Sequence, residues 1–176
     1  MSEQNTPMET TEELNTVLLI RREKLQKLID MGVNPYPPHF EREQTTEQIS
    51  NNYADFEKSE VVVAGRLMSI RRMGKSTFAD LEDSSGRIQL YLNAKSYSEK
   101  DDAVFQLSDI GDVVGIKGEV TKTRTGEITI MVKEYTMLTK TLRPIPIVKE
   151  KGEGDEKITF DAFADKEMRY RQRYVD

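Results

Sequence analysis

The stretch VVVAGRLMSIRRMGKSTFADLEDSSGRIQLYL, residues 61–92, decides the predicted fold because it reads as three consecutive β-strands. Within its second strand, residues for the two faces of a sheet alternate strictly. Successive side chains of a strand point to opposite faces, so Ala79 and Leu81 face the core and Phe78 faces away from it. The sequence therefore predicts an aromatic ring on a polar, partly basic sheet face.

The third strand places two more large side chains on the face of Phe78. It follows a tight turn at residues 84–86 and directs Gln89 and Tyr91 outward. Rings on a polar strand face are typical of sheets that stack unpaired nucleic-acid bases, where each base contributes about 1–3 kcal/mol. Packing of the rings beneath a neighbouring segment explains the pattern equally well, so the pattern leaves both interpretations open.

Two further strands complete a predicted five-stranded barrel. The predicted strands span residues 61–72, 76–83, 87–93, 112–123 and 127–138, with a short polar helix at residues 99–107. Gly65, Gly115 and Gly118 lie where a sharp bend lets one strand serve two sheets. A helix after the third strand is typical of the OB-fold, whose binding face includes strands two and three. An SH3-like barrel gives no reason for that helix, so we favour the OB-fold.

Helices and a linker flank the predicted barrel. A capping box of Thr10 and Glu13 predicts a helix to Met31, and Thr45 with Gln48 predicts a second helix. The segment KEKGEGDEK, residues 149–157, has no apolar period and reads as a linker. We predict a mostly β protein with four regions: a disordered N-terminus (1–9), a helical N-terminal extension (10–58), the OB-fold barrel (59–148), and a linker with the truncated start of a further domain (149–176).

Composition narrows the classes of function. The chain has no cysteine and one histidine, His39, which argues against disulfides, thiol nucleophiles and the usual zinc sites. The net charge of −5 argues against a general DNA-binding protein. Residues 65–95 and 117–143 nevertheless each hold six Lys or Arg against three acids, a local charge of +3 that suits a selective anionic partner.

Neither a membrane segment nor an ATP-binding loop is evident in the sequence. The first residues are polar and acidic, and no apolar run is long enough to span a bilayer, so we expect a cytoplasmic protein without a membrane partner. Gly74, Lys75 and Ser76 mimic the end of a phosphate-binding loop, but that motif needs a glycine where the chain has Ser69. We predict no catalytic residue, metal site or cofactor in this chain.

Five segments resemble one protein family. They are RREKLQKLIDMGVNPYP (21–37), AGRLMSIRRMGKSTFADLEDSSGRIQLYL (64–92), TKTRTGE (121–127), LRPIP (142–146) and RYRQRYVD (169–176). Together they resemble the N-terminal, anticodon-binding region of bacterial-type class II lysyl-tRNA synthetases. The resemblance covers nearly the whole chain and implies a helical extension, an OB-fold that reads the anticodon, and a catalytic domain that begins near residue 165.

The resemblance also implies roles for individual residues. In that family a strand-two phenylalanine, matched by Phe78, stacks on the central uridine of the lysine anticodon. Positions matching Gln89 and Glu127 hydrogen-bond the same base, and an arginine matching Arg71 contributes. Further basic residues are candidates for contacts to the tRNA backbone: Arg21, Arg22, Lys24, Lys27 and Lys75.

Activity and assembly follow from the resemblance as expectations. The full-length enzyme, a ligase, would attach lysine to tRNA(Lys) with ATP and Mg²⁺ and would form a homodimer. This chain ends before the three catalytic motifs of the class, so we expect it to bind the tRNA(Lys) anticodon stem-loop and to be inactive alone. The alternatives are a general single-stranded nucleic-acid-binding OB-fold module and a scaffold that binds no RNA.

Overall fold

The computed structural model describes residues 7–74, 76–93, 95–144, 149–151 and 158–160. The chain divides into two compact units, residues 1–144 and 145–176. The first unit contains the predicted barrel and the helices that precede it.

Five strands close into a barrel in the order β1-β2-β3-β5-β4. They are β1 (Glu60–Met73), β2 (Ser76–Glu82), β3 (Arg87–Asn93), β4 (Val113–Lys122) and β5 (Ile128–Thr139). Neighbouring strands are antiparallel except β3 and β5, which pair in parallel and close the barrel. A helix, Glu99–Gln106, joins β3 to β4. Each bound lies within one residue of its prediction, and the position of the helix confirms the OB-fold order.

The long strand β1 belongs to both halves of the barrel. It pairs with β4 from Glu60 to Arg66 and with β2 from Arg66 to Met73. The change of partner falls next to Gly65, where a Cβ atom would lie 2.6 Å from the carbonyl oxygen of Glu82. No side chain fits that distance, so the backbones can approach closely only at a glycine. The prediction that β1 bends to serve two sheets is confirmed.

Strand alternation builds the barrel core. In β2 every second residue from Thr77 to Leu81 is buried, and the residues between them are partly exposed. Strand β3 adds Ile88, Leu90 and Leu92 to the core. Because full burial of a large aliphatic side chain stabilises the fold by about 1.5–3 kcal/mol, this pattern determines which sheet face turns outward. The predicted outward direction of Phe78 is confirmed.

The N-terminal helix α1 spans Pro7–Asp30. It begins three residues before the predicted capping box, so the residues from Pro7 to Glu9, predicted to be disordered, are helical. Proline suits this first turn because its fixed φ is helical and its missing N–H would have no intrahelical partner. Gly32 follows the helix with a φ of +70°, as a helix terminator does. Residues 1–6 lie outside the described ranges. No helix in the described part of the chain is long and apolar enough to cross a membrane.

Two short helices lead into the barrel. Helix α2 spans Thr46–Asn51, and Thr45 and Gln48 form the predicted capping box at its start. The Thr45 side chain accepts a hydrogen bond from Gln48 N at 3.2 Å, and the Gln48 side chain accepts one from Thr45 N at 2.9 Å. Helix α3 (Tyr53–Phe56) follows directly, and Glu99–Gln106 is therefore α4.

The described residues of the second unit form a two-stranded antiparallel sheet. It pairs β6 (Lys149–Lys151) with β7 (Ile158–Phe160). The predicted linker therefore begins in a strand, and its residues 152–157 lie outside the described ranges.

Candidate nucleic-acid interface

An open groove of about 700 Å³ crosses the outer face of the barrel. It is lined by residues from all five strands and from the turn between β4 and β5. The four residues predicted to bind the anticodon, Arg71, Phe78, Gln89 and Glu127, all line it. Residues paired across neighbouring strands lie side by side on one face. Barrel closure thus brings together side chains that are spread from position 71 to position 127.

One row of paired residues contains an aromatic platform, formed by Phe78 and Tyr91, in the groove. The backbone pairing aligns, in order, Arg71, Phe78, Tyr91 and Met131. The ring centroids of Phe78 and Tyr91 are 5.1 Å apart, and the ring planes are tilted by 52°. Tilted ring pairs attract each other, so Tyr91 supports Phe78 without covering it. Phe78 remains partly exposed on the groove side, where a planar base can stack on it.

Hydrogen bonds hold the Tyr91 ring in place. Its hydroxyl lies 2.9 Å from the Ser76 hydroxyl and accepts from Asn93 Nδ2 at 3.4 Å. The bond with Ser76 first, and then the bond with Asn93, lowers the pKa of the Tyr91 hydroxyl, and burial opposes this. The aromatic platform is therefore anchored at its polar end.

The next row carries hydrogen-bonding groups. Gln89 lies opposite Thr129 in the parallel pair of β3 and β5. Gln89 Nε2 donates to Glu127 Oε2 at 2.8 Å, and Thr129 Oγ1 donates to Gln89 Oε1 at 2.9 Å. Gln89 is 7% exposed and Thr129 is 1% exposed, whereas Glu127 is exposed. The row presents an amide N–H and a carboxylate next to the aromatic platform.

The turn between β4 and β5 positions Glu127. Gly126 has a φ of +87°, which glycine adopts without strain. Thr123 N donates to Glu127 O at 2.9 Å, and Gly126 N donates to Thr123 O at 2.9 Å. Glu127 N also donates to the Thr123 hydroxyl oxygen at 3.0 Å. These bonds hold the backbone of Glu127, so its carboxylate projects from a defined place.

Arg71 lies at the edge of the aromatic platform. Its side chain is 57% exposed, and Nη2 is 3.3 Å from Asp80 Oδ1. Asp80 also accepts a hydrogen bond from the Ser69 hydroxyl. An exposed ion pair of this kind contributes little to stability. The guanidinium can therefore exchange Asp80 for an anionic or polar ligand group at small cost.

The basic residues of α1 divide into two groups. Arg21 is buried, and its guanidinium donates to Thr141 O at 2.8 Å and to Ile110 O at 2.9 Å. Lys24 pairs with Asp109. Both residues hold α1 against the barrel, and two guanidinium N–H groups of Arg21 are engaged within the fold. Contacts of Arg21 and Lys24 with the tRNA backbone stay predictions. Arg22 and Lys27 are exposed, and Lys75 lies outside the described residues.

Thr129 is a site residue that the sequence pattern does not predict. It is the second residue of β5, and nothing in its local pattern distinguishes it from a surface threonine. Its contact with Gln89 arises from the parallel pairing of β3 and β5, whose register is not encoded by a hairpin turn. Tyr91 carried a clearer signal, since the alternation of β3 directs it outward beside Phe78.

Comparisons with known proteins agree with this geometry. A family model, the tRNA_anti-codon OB-fold nucleic acid binding domain, matches residues 61–138. Lysine–tRNA ligase of Thermoanaerobacter sp. (strain X514) is 46% identical over 167 residues, which cover 94% of this chain and 31% of the relative.

Two further relatives give the same result. Lysine–tRNA ligase of Christiangramia forsetii is 48% identical over 164 residues, covering 89% of this chain and 28% of the relative. That of Staphylococcus haemolyticus is 40% identical over 176 residues, covering 94% and 33%. The chain thus spans about a third of the length of these relatives. Residues 61–138 match the model of the tRNA_anti-codon OB-fold nucleic acid binding domain, and the chain as a whole is similar to the N-terminal regions of lysine–tRNA ligases.

Proposed function

We propose that this chain is the anticodon-reading region of a lysine–tRNA ligase and that its groove binds the central uridine of the lysine anticodon. The observation that carries the proposal is the placement of a supported aromatic ring, Phe78, beside a donor and an acceptor, Gln89 and Glu127, in one groove. Single-stranded RNA is recognised through base stacking and the exposed edges of its bases.

Hydrogen-bonding capacity favours uracil over cytosine at this site. Uracil presents an imino N–H between two carbonyl oxygens. Glu127 can accept a hydrogen bond from the imino N–H. The unused amide hydrogen of Gln89 can donate to a carbonyl oxygen of uracil. Cytosine presents a lone pair in place of the imino N–H, which a carboxylate repels. A site built to hydrogen-bond one edge rejects the other because its polar groups are left unpaired.

Basic side chains at the edge of the groove and on α1 are proposed to bind the RNA backbone. Arg71 lies at the edge of the platform, and Arg22 and Lys27 are exposed on α1. Lys75, which follows Gly74 in the sequence, is proposed in the same role. Phosphate contacts position an RNA without reading its sequence. Their loss should weaken binding to every loop sequence alike.

The longer protein is proposed to be a class II synthetase that acts in the cytoplasm. It would activate lysine with ATP and Mg²⁺, transfer it to tRNA(Lys), and work as a homodimer. The role of this chain in that reaction is to select the tRNA, since the groove offers recognition groups for a base.

Binding of the 176-residue chain to a stem-loop with the lysine anticodon tests the proposal. The comparison loop differs by one base, cytidine for the central uridine, at one fixed salt concentration. Tighter binding to the uridine loop is expected. Equal binding to both loops favours a general single-stranded nucleic-acid binder, and no binding to either favours a scaffold.

A further inference from the structure

We propose that Thr129 is a positioning residue that sets the specificity of the groove by holding the amide of Gln89 in one orientation. The inference rests on the proposed function and adds to it the side chain that decides what Gln89 can read. Thr129 also lines the groove but is only 1% exposed, so we infer that it acts on the base through Gln89.

The Gln89 amide is held at both ends. Thr129 Oγ1 donates to the amide oxygen at 2.9 Å, and the amide nitrogen donates to Glu127 Oε2 at 2.8 Å. Gln89 and Thr129 are almost fully buried, so water does not replace either partner easily. An amide with two such partners has a defined orientation.

The reversed amide orientation is unfavourable here. Rotation by half a turn would place the Gln89 oxygen 2.8 Å from the Glu127 carboxylate oxygen, where the nitrogen now lies. Both atoms accept hydrogen bonds and neither donates. Glu127 disfavours this orientation by repulsion, and Thr129 favours the observed one by donating its single hydroxyl hydrogen.

Thr129 matters most when the groove is occupied. A bound base that takes the Glu127 carboxylate competes with Gln89 for it, which weakens one of the two anchors of the amide. The bond from Thr129 joins two buried side chains and does not use the Glu127 carboxylate, so the base does not compete for it. It therefore keeps an amide hydrogen, instead of the amide oxygen, directed at the base.

This orientation separates the two pyrimidines. A fixed donor from Gln89 beside the acceptor of Glu127 matches a carbonyl next to an imino N–H, as in uracil. Cytosine presents an amino group and a lone pair along the corresponding edge, and an amide free to turn its oxygen outward could accept from that amino group. Thr129 thus excludes the arrangement that would let Gln89 read cytosine.

The strand geometry suits this role. Gln89 and Thr129 are direct partners in the β3–β5 pair, so their side chains lie on the same face. The side chain of threonine is branched at Cβ and has few rotamers, which limits where its hydroxyl can point. The Thr129 hydroxyl can also donate to Glu127 O, but that oxygen is more distant, at 3.3 Å.

The test compares Thr129→Val with Thr129→Ser in the 176-residue chain. Valine keeps the shape of threonine and removes the hydroxyl, whereas serine keeps the hydroxyl. The matched control is Thr136→Val, which changes an exposed threonine of the same strand outside the groove. Affinity is measured for the uridine and cytidine stem-loops, and the thermal midpoint of unfolding is measured for each variant.

The wild-type chain and Thr136→Val are expected to prefer the uridine loop equally. Thr129→Val should reduce that preference roughly two- to tenfold, the range for loss of one hydrogen bond, and Thr129→Ser should restore it. An unchanged preference in Thr129→Val would overturn the role of Thr129 and leave the proposed function intact. An equal loss of affinity for both loops would also overturn it, because it would show a purely structural contribution. Absence of any preference in the wild-type chain would overturn the proposed function as well.

A second measurement keeps the inference testable if Thr129→Val is destabilised. The two amide hydrogens of Gln89 give separate NMR signals because rotation about the amide C–N bond is slow, and the hydrogen bonds of the amide influence the positions of both signals. In the complex with the uridine loop, Thr129→Val should shift these signals from their wild-type positions while Thr129→Ser leaves them in place. Unchanged signals in a folded Thr129→Val chain would contradict the proposed anchoring.

Discussion

The groove and the buried cluster around Lys140 both contain polar and charged side chains. They differ in how many of their hydrogen-bonding groups already have partners within the fold. In the Lys140 cluster, comprising Lys140, Asp109 and Asp112, the ammonium is fully buried. Its three donors bond Leu107 O at 2.9 Å, Asp109 Oδ2 at 2.6 Å and Asp112 Oδ2 at 2.7 Å. Every donor of the lysine has a partner inside the fold, so Lys140 has no N–H group left to bind a ligand.

The carboxylates of the Lys140 cluster are also engaged. Asp112 accepts from Asp109 N at 2.7 Å and from Thr141 N at 2.8 Å, in addition to Lys140. Burial by itself raises the pKa of the Asp109 carboxyl, but hydrogen bonds from Lys140 and then Lys24 outweigh it and lower that pKa. The cluster ties the end of β5 and helix α1 to the loop before β4.

The groove keeps hydrogen-bonding capacity unused. Glu127 is exposed and uses one carboxylate oxygen for Gln89, which itself retains one amide hydrogen. A set of polar residues can bind a ligand only where some of its hydrogen-bonding groups have no partner within the fold. Four substitutions test this contrast.

Lys140→Met is expected to have the largest effect. It leaves the fully buried Asp112 carboxylate without its cation, and loss of one partner of a buried ion pair costs about 3–5 kcal/mol. Urea unfolding measures the free energy of unfolding. The control is Lys133→Met in the exposed network with Glu60 and Glu119, where we expect a change below about 1 kcal/mol. Similar losses in the two variants would contradict the structural role of the Lys140 cluster.

Arg21→Met tests the attachment of α1. The guanidinium donates to two backbone carbonyls, and hydrogen bonds to charged groups contribute about 1.5–3 kcal/mol. We expect a loss of that order in the free energy of unfolding, with the preference for the uridine loop unchanged. The neighbouring exposed Arg22→Met should do the reverse, weakening binding to both stem-loops without affecting stability. A loss of uridine preference in folded Arg21→Met would show that Arg21 belongs to the reading site after all.

Phe78→Ala tests the open side of the contrast. Removal of the ring should weaken binding of the uridine stem-loop by about 1–3 kcal/mol, the contribution of one stacked base. Phe78→Tyr keeps a ring of the same size and should retain most of the affinity. Fluorescence anisotropy with labelled stem-loops gives both dissociation constants. Full affinity in Phe78→Ala would mean that the base stacks elsewhere.

A third polar cluster, around Asp83, is expected to make the stability of the fold sensitive to acid. Its buried carboxylate accepts bonds from Thr46 N at 3.0 Å and from the hydroxyl of Ser85 at 2.6 Å. Burial raises the pKa of the Asp83 carboxyl, but the bonds from Ser85 and Thr46 outweigh it and hold that pKa well below its usual 3.8. A carboxyl with a lowered pKa in the folded state stabilises the fold above its unfolded pKa and loses this contribution as pH falls.

The free energy of unfolding should therefore drop as pH falls from 5 to 3. In Asp83→Asn the drop should be smaller by about 1 kcal/mol, since each pH unit below the unfolded pKa is equivalent to about 1.4 kcal/mol. The exposed Asp55→Asn serves as the control and should keep the wild-type pH dependence. A drop in Asp83→Asn as steep as that of the wild-type chain would mean that other carboxyls govern acid unfolding.

Much of the barrel could be predicted because its signals are local. The alternation in β2 and β3 reflects burial of every second residue, and the capping box of Thr45 and Gln48 depends on neighbours in the chain. Helix α1 was placed less well at its start, where Thr10 carried a capping signal inside a longer helix. A capping motif marks a favourable start but does not prevent a helix from extending beyond it.

The sequence alone predicts the order of the strands along the chain, their inward and outward faces, and the outward position of Phe78 beside Gln89. These properties follow from the two-residue period of a strand and from turn residues close in the chain. The burial of Arg21 between α1 and the loops at Ile110 and Thr141, and the bond from Thr129 to Gln89, depend on the tertiary structure. Both contacts join positions 40 to 120 residues apart, through helix docking and the parallel closure of β3 on β5. No local pattern encodes such contacts, because they depend on where distant backbones meet.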